Sequence, residues 1–295
     1  APDLPTATGK QRRRDSMRRE FKLECADGKQ LYARVFEAES PRGVLCVAHG
    51  LGEHGDRYQK FADFMNAHGM TVYAQDHRGH GRNVEKKSQR GIARMADLER
   101  DMVTMIDFAA KETGLPVIQF GHSLGGLIGL YTTLHSKPPV CAAIITSPWL
   151  KLVSAPPQAA FKAIGALSGV LSPFSINNGI PSTALCHDPA VCAAYDVDPQ
   201  NHGRIGLALA ADANRAANWV LAHPEELKVP LLLCHGEQDP ICSVEGSREF
   251  AEKAKGVRFV EFEGAYHELH NEPLAAEKLF ETELEFIDEI LSLKA

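Results

Sequence analysis

Residues 117–126 read Val-Ile-Gln-Phe-Gly-His-Ser-Leu-Gly-Gly, and this segment is the strongest indication of the fold. The apolar run Val117–Phe120 is typical of a buried strand, and Leu124–His135 is typical of a helix. Between them lies the pattern G-x-S-x-G, whose glycines permit a sharp turn that lifts Ser123 above the edge of a sheet. The turn also puts the serine at a helix N-terminus, where backbone N–H groups favour developing negative charge.

Further apolar runs on both sides of this unit predict a sheet. They are Val44–Ala48, Thr71–Ala74, Ala142–Thr146, Leu231–Cys234 and Val257–Phe262. Helical spacing of apolar residues predicts a helix over Ala96–Thr113, which Gly114 and Pro116 end, and a final helix over Pro273–Leu293. Strands that alternate with helices predict an α/β fold with a mostly parallel sheet.

The segment 151–228 interrupts this alternation. It contains no convincing strand, it has an Ala-rich helical stretch over Ile205–Leu221, and Lys162 is the only formally charged residue between Leu152 and Cys186. An insertion of helices between two strands of the sheet predicts a cap over one edge. We therefore expect an α/β core formed by 21–150 and 229–295, and an inserted helical cap over 151–228.

Residues 1–20 are predicted to be a flexible basic tail. The basic side chains of this segment are Lys10, Arg12, Arg13, Arg14, Arg18 and Arg19. The chain as a whole is acidic, with 295 residues, a formal net charge of −6 and a pI near 6.1. That balance disfavours nucleic acid as the main partner, because phosphate binding requires clustered Lys and Arg.

Apolar runs and cysteines indicate the compartment. No run reaches the roughly 20 apolar residues of a membrane-spanning helix. The seven cysteines are odd in number and scattered, and several lie in strand-like apolar runs. This usage favours free thiols in a reducing compartment, so we expect a cytoplasmic protein, with peripheral contact to membranes as an option.

A serine nucleophile needs a base and a group that orients the base. Asp239 follows the strand 231–234, and His267 follows the strand 257–262. Both therefore lie just past the carboxyl ends of strands, where open α/β sheets place their sites, and the chain order is serine, acid, histidine. This pattern predicts a catalytic triad of Ser123, Asp239 and His267, although a turn-capping aspartate and a surface histidine are the alternatives for each residue alone.

Acyl transfer also needs donors for an oxyanion. The backbone N–H of Leu124, directly after the serine, is one candidate. The glycines of His49-Gly50-Leu51-Gly52 permit the N–H of Leu51 to point at the same position, although an ordinary Gly-rich turn has the same pattern. This chemistry requires no metal ion and no organic cofactor.

In several of its segments the chain resembles the monoacylglycerol lipases of the α/β-hydrolase superfamily, in the group that also holds lysophospholipase-like enzymes. The resemblance covers roughly residues 20 to 290. The segments that carry it are His49–His54 with Arg57-Tyr58, Asp76–Gly81, Gly121–Gly126, His235-Gly236 with Asp239, and Gly264–His270. The serine pattern is shared by the whole superfamily, whereas the Gly-Glu-His and Arg-Gly-His-Gly elements are narrower.

The resemblance implies the same triad and adds a polar pocket for the glycerol head group. Its implied lining is Glu53, Arg57, Tyr195 and His270. The alternative for two of them is that Glu53 and Arg57 pair to brace their loop. The resemblance further implies a cap that guards an acyl tunnel and touches a membrane or micelle surface.

Two neighbouring positions complete what the resemblance implies. Cys242 lies beside the site, as a modulator or bystander rather than a participant. The loop that begins at Asp76 is expected to brace the site through turn hydrogen bonds.

The predicted function is hydrolysis of a monoacylglycerol to a free fatty acid and glycerol, through an acyl-enzyme on Ser123. The alternatives are a lysophospholipase, a general carboxylesterase, an acyltransferase that uses an alcohol instead of water, and a catalytically silent binding protein. Epoxide hydrolases and dehalogenases are disfavoured, because they need a carboxylate at position 123.

Overall fold

The computed structural model describes residues 18–293, which form a sheet covered by helices on both faces. The strands are β1 (Arg18–Glu24), β2 (Gln30–Phe36), β3 (Gly43–Ala48), β4 (Met70–Gln75), β5 (Val117–His122), β6 (Ala142–Thr146), β7 (Ser175–Asn177), β8 (Arg204–Gly206), β9 (Leu231–Gly236) and β10 (Val257–Phe262). Eight of them make one sheet in the order β1-β2-β4-β3-β5-β6-β9-β10. From β4 to β10 all neighbours pair in parallel, whereas β1–β2 and β2–β4 are antiparallel.

The helices are α1 (Gln59–Ala67), α2 (Met95–Thr113), α3 (Leu124–Tyr131), α4 (Gln158–Ala166), α5 (Ser168–Leu171), α6 (Pro189–Val197), α7 (Leu207–Ala222), α8 (Val244–Lys253) and α9 (Ala276–Ser292). One apolar layer joins the sheet to α2, α3 and α7, and another joins its opposite face to α1 and α9. In α2 the apolar residues at helical spacing, Leu98, Met102, Ile106 and Ala109, are fully buried in the first layer. The predicted α/β fold with a mostly parallel sheet is confirmed.

All six strands predicted from apolar runs are present, but β1 and β2 were not predicted. Charged residues interrupt both, as in the sequence Arg-Arg-Glu-Phe-Lys-Leu-Glu of β1. Arg18 and Arg19, which were assigned to the basic tail, lie in β1 and pair with Asp56 at 2.6 Å and Glu112 at 2.9 Å. The sheet thus begins before residue 21, the predicted start of the core. The rest of the predicted tail lies outside the described residues.

Between β6 and β9 the chain forms the helices α4 to α7, in the segment predicted to be a cap. The expectation that this segment holds no strand is wrong, because β7 and β8 pair antiparallel in it. Each of these strands has three residues, too few for a recognisable alternation of apolar and polar side chains.

Hydrogen bonds fix the second half of this cap to the core. The N–H of His202 and the hydroxyl of Tyr195 both donate to the carbonyl oxygen of Gly52, at 2.8 and 3.1 Å. A Cβ at position 52 would lie 2.3 Å from the His202 carbonyl oxygen, and the φ of Gly52 is +80°. Only glycine permits this close approach, which brings the cap down onto the loop that follows β3.

Among the described residues, no helix is both long and apolar enough to cross a membrane.

Glu283 of α9 is an ionisable residue that is buried in the core. Its side chain is fully buried and neither carboxylate oxygen has a hydrogen-bond partner within residues 18–293. Burial raises the pKa of this carboxyl well above its ordinary value of 4.5. The folded protein therefore keeps a proton on Glu283 that the unfolded chain releases, so the contribution of this residue to stability should fall as the pH rises above about 4.5.

We expect Glu283→Leu to raise the free energy of unfolding near neutral pH by about 1–3 kcal/mol, because it removes an unpaired buried polar group. The measurement is urea denaturation at about pH 5 and about pH 8, where the stability advantage of the leucine variant over wild type should be larger at the higher pH. Glu283→Gln is the matched control, since it removes the titration but keeps an unpaired polar group. A leucine variant less stable than wild type at both pH values would contradict the prediction.

Candidate active site

Ser123 lies at the turn between β5 and α3, with φ 56° and ψ −118°. This φ lies in the region that favours glycine. Packing explains the glycines on either side: a Cβ at Gly121 would lie 2.3 Å from the Gly125 carbonyl oxygen, and a Cβ at Gly125 would lie 2.0 Å from that of Ala48. Backbone thus approaches backbone on both sides of the serine, which holds its hydroxyl above the sheet edge.

The predicted triad residues form a continuous hydrogen-bonded row. His267, in the loop after β10, places Nε2 2.8 Å from Ser123 Oγ. Its Nδ1 lies 2.6 Å from Oδ2 of Asp239, in the turn after β9. The other oxygen of Asp239 accepts the N–H groups of Ile241 and Cys242 at 2.8 and 3.0 Å. The geometry is that of a serine activated by an imidazole that a carboxylate orients.

The electrostatics of the row suit a base that works near neutral pH. Burial opposes the charge of Asp239, but His267 and His235 outweigh it and hold the pKa of the carboxyl well below its usual range. Burial alone would lower the pKa of His267, whereas the adjacent Asp239 outweighs it and raises that pKa above 6.5. A pKa near the working pH is what a general base needs.

The two predicted oxyanion donors flank the serine. Leu124 is the first residue of α3, and a Cβ built on Gly50, next to Leu51, would lie 3.3 Å from the Ser123 Cβ. Within the described part of the chain, neither the Leu51 nor the Leu124 amide donates a hydrogen bond to another group. Both amides are therefore available to an oxygen atom that enters the cavity above Ser123.

A cavity opens over the serine, and the cap forms part of its wall. Its apolar lining is Leu51, Ile180, Pro181, Leu185 and Ile241, and its polar lining includes Glu53, His122, Asn178, Ser182 and Tyr195. Glu53 and Tyr195, two residues of the implied head-group pocket, are among the lining residues. Arg57 and His270, the other two, are not.

Arg57 lies behind this wall between two carboxylates. Its Nη1 is 2.5 Å from Glu53 Oε2, and Nη1 and Nη2 are 2.6 and 2.8 Å from the two oxygens of Glu268. His270 is buried against the Tyr58 and His122 rings, at centroid distances of 5.2 and 5.0 Å. Burial lowers the pKa of His270, so it is neutral near pH 7.

The structure adds Glu268 to the residues selected from the sequence. It directly follows His267 and is 2% exposed. Burial opposes its charge, yet Arg57 outweighs burial and holds the pKa of this carboxyl well below its usual range. In the sequence, Glu268 is notable only as a charged residue next to the predicted base His267. Its partner Arg57 is known only from the tertiary structure.

The structure also locates Cys242 and the loop that begins at Asp76. Burial raises the pKa of the Cys242 thiol well above its ordinary value, so it stays protonated, and the Cys242 backbone N–H supports Asp239. Asp76 accepts the N–H groups of Gly55 and Arg82 at 3.0 and 2.9 Å, which is the bracing expected of its loop. Across residues 18–293 no cluster of three or more His, Cys, Asp or Glu side chains could hold a metal ion.

Comparisons with known proteins agree with this geometry. Residues 39–274 match the family described as serine aminopeptidase, S33. A monoacylglycerol lipase of Mycolicibacterium smegmatis is 30% identical over 263 residues, which are 88% of this chain and 93% of that protein. The human monoglyceride lipase is 32% identical over 260 residues, with 85% and 84% covered.

Among solved structures, the monoacylglycerol lipase of Paleococcus ferrophilus superposes with a TM-score of 0.78 at 31% identity. The match covers 90% of this chain and 99% of that protein. The likeness thus extends over most of this chain and nearly all of that protein.

Proposed function

Since this chain belongs to the family described as serine aminopeptidase, S33, and is a serine ester hydrolase related to monoacylglycerol lipases, we propose that its substrate is a monoacylglycerol. The products are a free fatty acid and glycerol. The observation that carries the proposal is the row Ser123–His267–Asp239 beneath a cavity with a mainly apolar wall and one polar corner.

The proposed reaction follows from the distances in this row. His267 takes the proton of the Ser123 hydroxyl, which attacks the ester carbonyl, and the amides of Leu51 and Leu124 bind the resulting oxyanion. His267 then gives that proton to the departing glycerol oxygen and leaves an acyl-enzyme on Ser123. A water molecule, deprotonated by His267, attacks the carbonyl carbon of the acyl-enzyme, and His267 returns the proton to the Ser123 oxygen as the fatty acid leaves. Asp239 keeps the proton of the imidazole on Nδ1 throughout.

The substrate's two ends suit different parts of the cavity. The acyl chain fits the apolar wall that includes Leu51, Leu185 and Ile241. The glycerol hydroxyls fit the corner where Glu53 and Tyr195 face the cavity. Arg57 and His270, which the family resemblance implies for the same role, lie behind this corner and support it through their contacts with Glu53, Tyr195 and Tyr58.

We expect the enzyme to prefer a monoacylglycerol over the methyl ester of the same fatty acid by at least about 10-fold in kcat/KM, because only the former satisfies the polar corner. Initial rates on a panel that shares one acyl chain measure this preference. The panel contains monoacylglycerol, diacylglycerol, triacylglycerol, lysophosphatidylcholine and methyl ester, with Ser123→Ala protein as the blank. Equal rates on the methyl ester would indicate a general carboxylesterase, and a preference for lysophosphatidylcholine would indicate a lysophospholipase.

The proposal also includes where the reaction takes place, namely in the cytoplasm and in transient contact with a lipid surface. The cap exposes large apolar side chains, among them Leu167 at 57%, Val170 at 73% and Phe174 at 56%. This surface suits transient contact with a membrane or micelle that holds the lipid, and co-sedimentation with phospholipid vesicles tests it. Cys25, Cys46, Cys186, Cys192, Cys234 and Cys242 are free thiols, which supports a cytoplasmic location.

A further inference from the structure

Arg57 joins two buried carboxylates that belong to different loops. Glu53 lies in the loop after β3, and Glu268 lies in the loop after β10. Both carboxylates are 2% exposed. The side chain of Arg57 bonds to both at 2.5 to 2.8 Å, with a bidentate contact to Glu268. Charge-assisted, bidentate pairs of this kind fix geometry more strongly than single hydrogen bonds do.

Glu53 and Glu268 each adjoin a part of the proposed reaction machinery. Glu53 Oε1 accepts the N–H of Gly50 at 2.6 Å, which fixes the peptide next to the Leu51 amide. Glu268 directly follows His267, and its own N–H donates to the Leu185 carbonyl oxygen at 2.7 Å. The three charged side chains therefore connect the oxyanion loop to the loop of the base.

Arg57 is poorly placed to bind a substrate directly. Both of its terminal nitrogens are engaged by carboxylates. The ring of Tyr195, which lines the cavity, lies over the guanidinium with 4.9 Å between Cζ and the ring centroid. Glu268 also lines the cavity, but both of its oxygens bond to this same guanidinium, and Oε2 accepts from the Asn271 side chain as well, at 2.8 Å.

We propose that Glu268 and Arg57 are positioning residues. Together with Glu53, they set where the His267 imidazole lies relative to the Leu51 amide. This inference rests on the proposed ester hydrolysis, and it assigns the pair to the chemical step rather than to recognition of glycerol. Preorganised donors lose catalytic effect when they are displaced by small distances, so a loosened bridge should lower kcat for every ester.

Glu268→Gln tests the proposal because it keeps the shape and removes the charge. We expect kcat to fall about 10- to 100-fold on both a monoacylglycerol and the methyl ester of the same acid, with each KM within about 2-fold of wild type. The ratio of the two activities should stay at its wild-type value. A head-group role would instead spare the methyl ester and raise KM for the monoacylglycerol.

The pH profile gives a readout that a loss of fold would not produce. The negative charge of Glu268 helps to raise the pKa of His267, so its removal should move the acid limb of kcat/KM to lower pH. In the double variant Arg57→Gln, Glu268→Gln both charges are absent, and the limb should return toward wild type. The double variant should also be about as active as Glu268→Gln alone, since loss of Glu268 already breaks the bridge between the two loops.

Arg57→Lys is the second variant, in case Glu268→Gln does not fold. Lysine keeps the charge but cannot hold both carboxylates with a planar fork, so kcat should fall about 3- to 10-fold on both esters. Loss confined to the monoacylglycerol in either variant would overturn the proposal, as would an unchanged kcat on the methyl ester. Failure of the proposed function is distinct, because it would be seen in wild type itself, either as equal rates on the two esters or as hydrolysis of neither.

Discussion

Ser123→Ala is expected to lower kcat for ester hydrolysis by about 10⁴- to 10⁶-fold. The hydroxyl is the group that His267 Nε2 meets at 2.8 Å, and alanine leaves the imidazole with no proton to accept. The neighbouring thiol of Cys242 cannot take over, because burial raises its pKa well above the ordinary value and keeps it protonated. The oxyanion amides and the cavity remain, so substrate binding should persist.

Fatty-acid release from the monoacylglycerol measures this effect, and binding of the unreacted substrate to the variant shows whether the cavity is intact. Ser88→Ala is the matched control, since Ser88 is exposed on a surface turn. It should retain wild-type turnover. If Ser123→Ala kept more than about one hundredth of the wild-type rate, the acyl-enzyme mechanism would be wrong.

Asp239→Asn is expected to lower kcat by about 10⁴-fold while the fold is retained. Asp239 Oδ1 accepts two backbone N–H groups, so the carbonyl oxygen of an asparagine would take that position. Its NH₂ group would then face His267 Nδ1 and force that nitrogen to accept. The proton would move to Nε2, where it would point at Ser123 and prevent the imidazole from acting as a base.

The pH dependence separates this effect from general damage. The Asp239 carboxylate raises the pKa of His267, so wild type should lose activity as the pH falls through a value above 6.5. Without the carboxylate that limb should move to lower pH, although the remaining rate is small. Asp107→Asn is the control, because Asp107 is exposed on α2. An Asp239→Asn variant within about 10-fold of wild type would exclude the assigned role.

The sequence predicts the parallel part of the sheet well, because continuous runs of apolar and β-branched residues have few other structures open to them. It does not predict β2, in which Arg34 is fully buried among apolar residues and pairs with Asp76 at 2.7 Å. A buried arginine looks like a surface residue until its partner is known. The helix predicted to reach His135 ends its regular turns at Tyr131 and continues as a wider turn over Thr132–Ser136.

In the candidate site, too, some features could be predicted from the sequence and others could not. Ser123, Asp239 and His267 could be selected because each follows a strand, and parallel strands bring their carboxyl ends to one edge. The orientation of Arg57 could not be predicted from the sequence. Its partner Glu268 is distant in the chain, and the spacing of charged residues does not determine which of them form ion pairs. The four residues predicted for the head-group pocket lie near one another. Only the directions of their side chains show which of them line the cavity and which lie behind its wall.

The backbone of Ser123 has a consequence for how this sequence can change over generations. A residue other than glycine at φ 56° and ψ −118° costs of order 1–3 kcal/mol. Folded domains have only about 5–15 kcal/mol in total, so selection for turnover maintains a residue that selection for stability alone would remove. A lineage that no longer needed the reaction would gain stability by exchanging this serine for glycine.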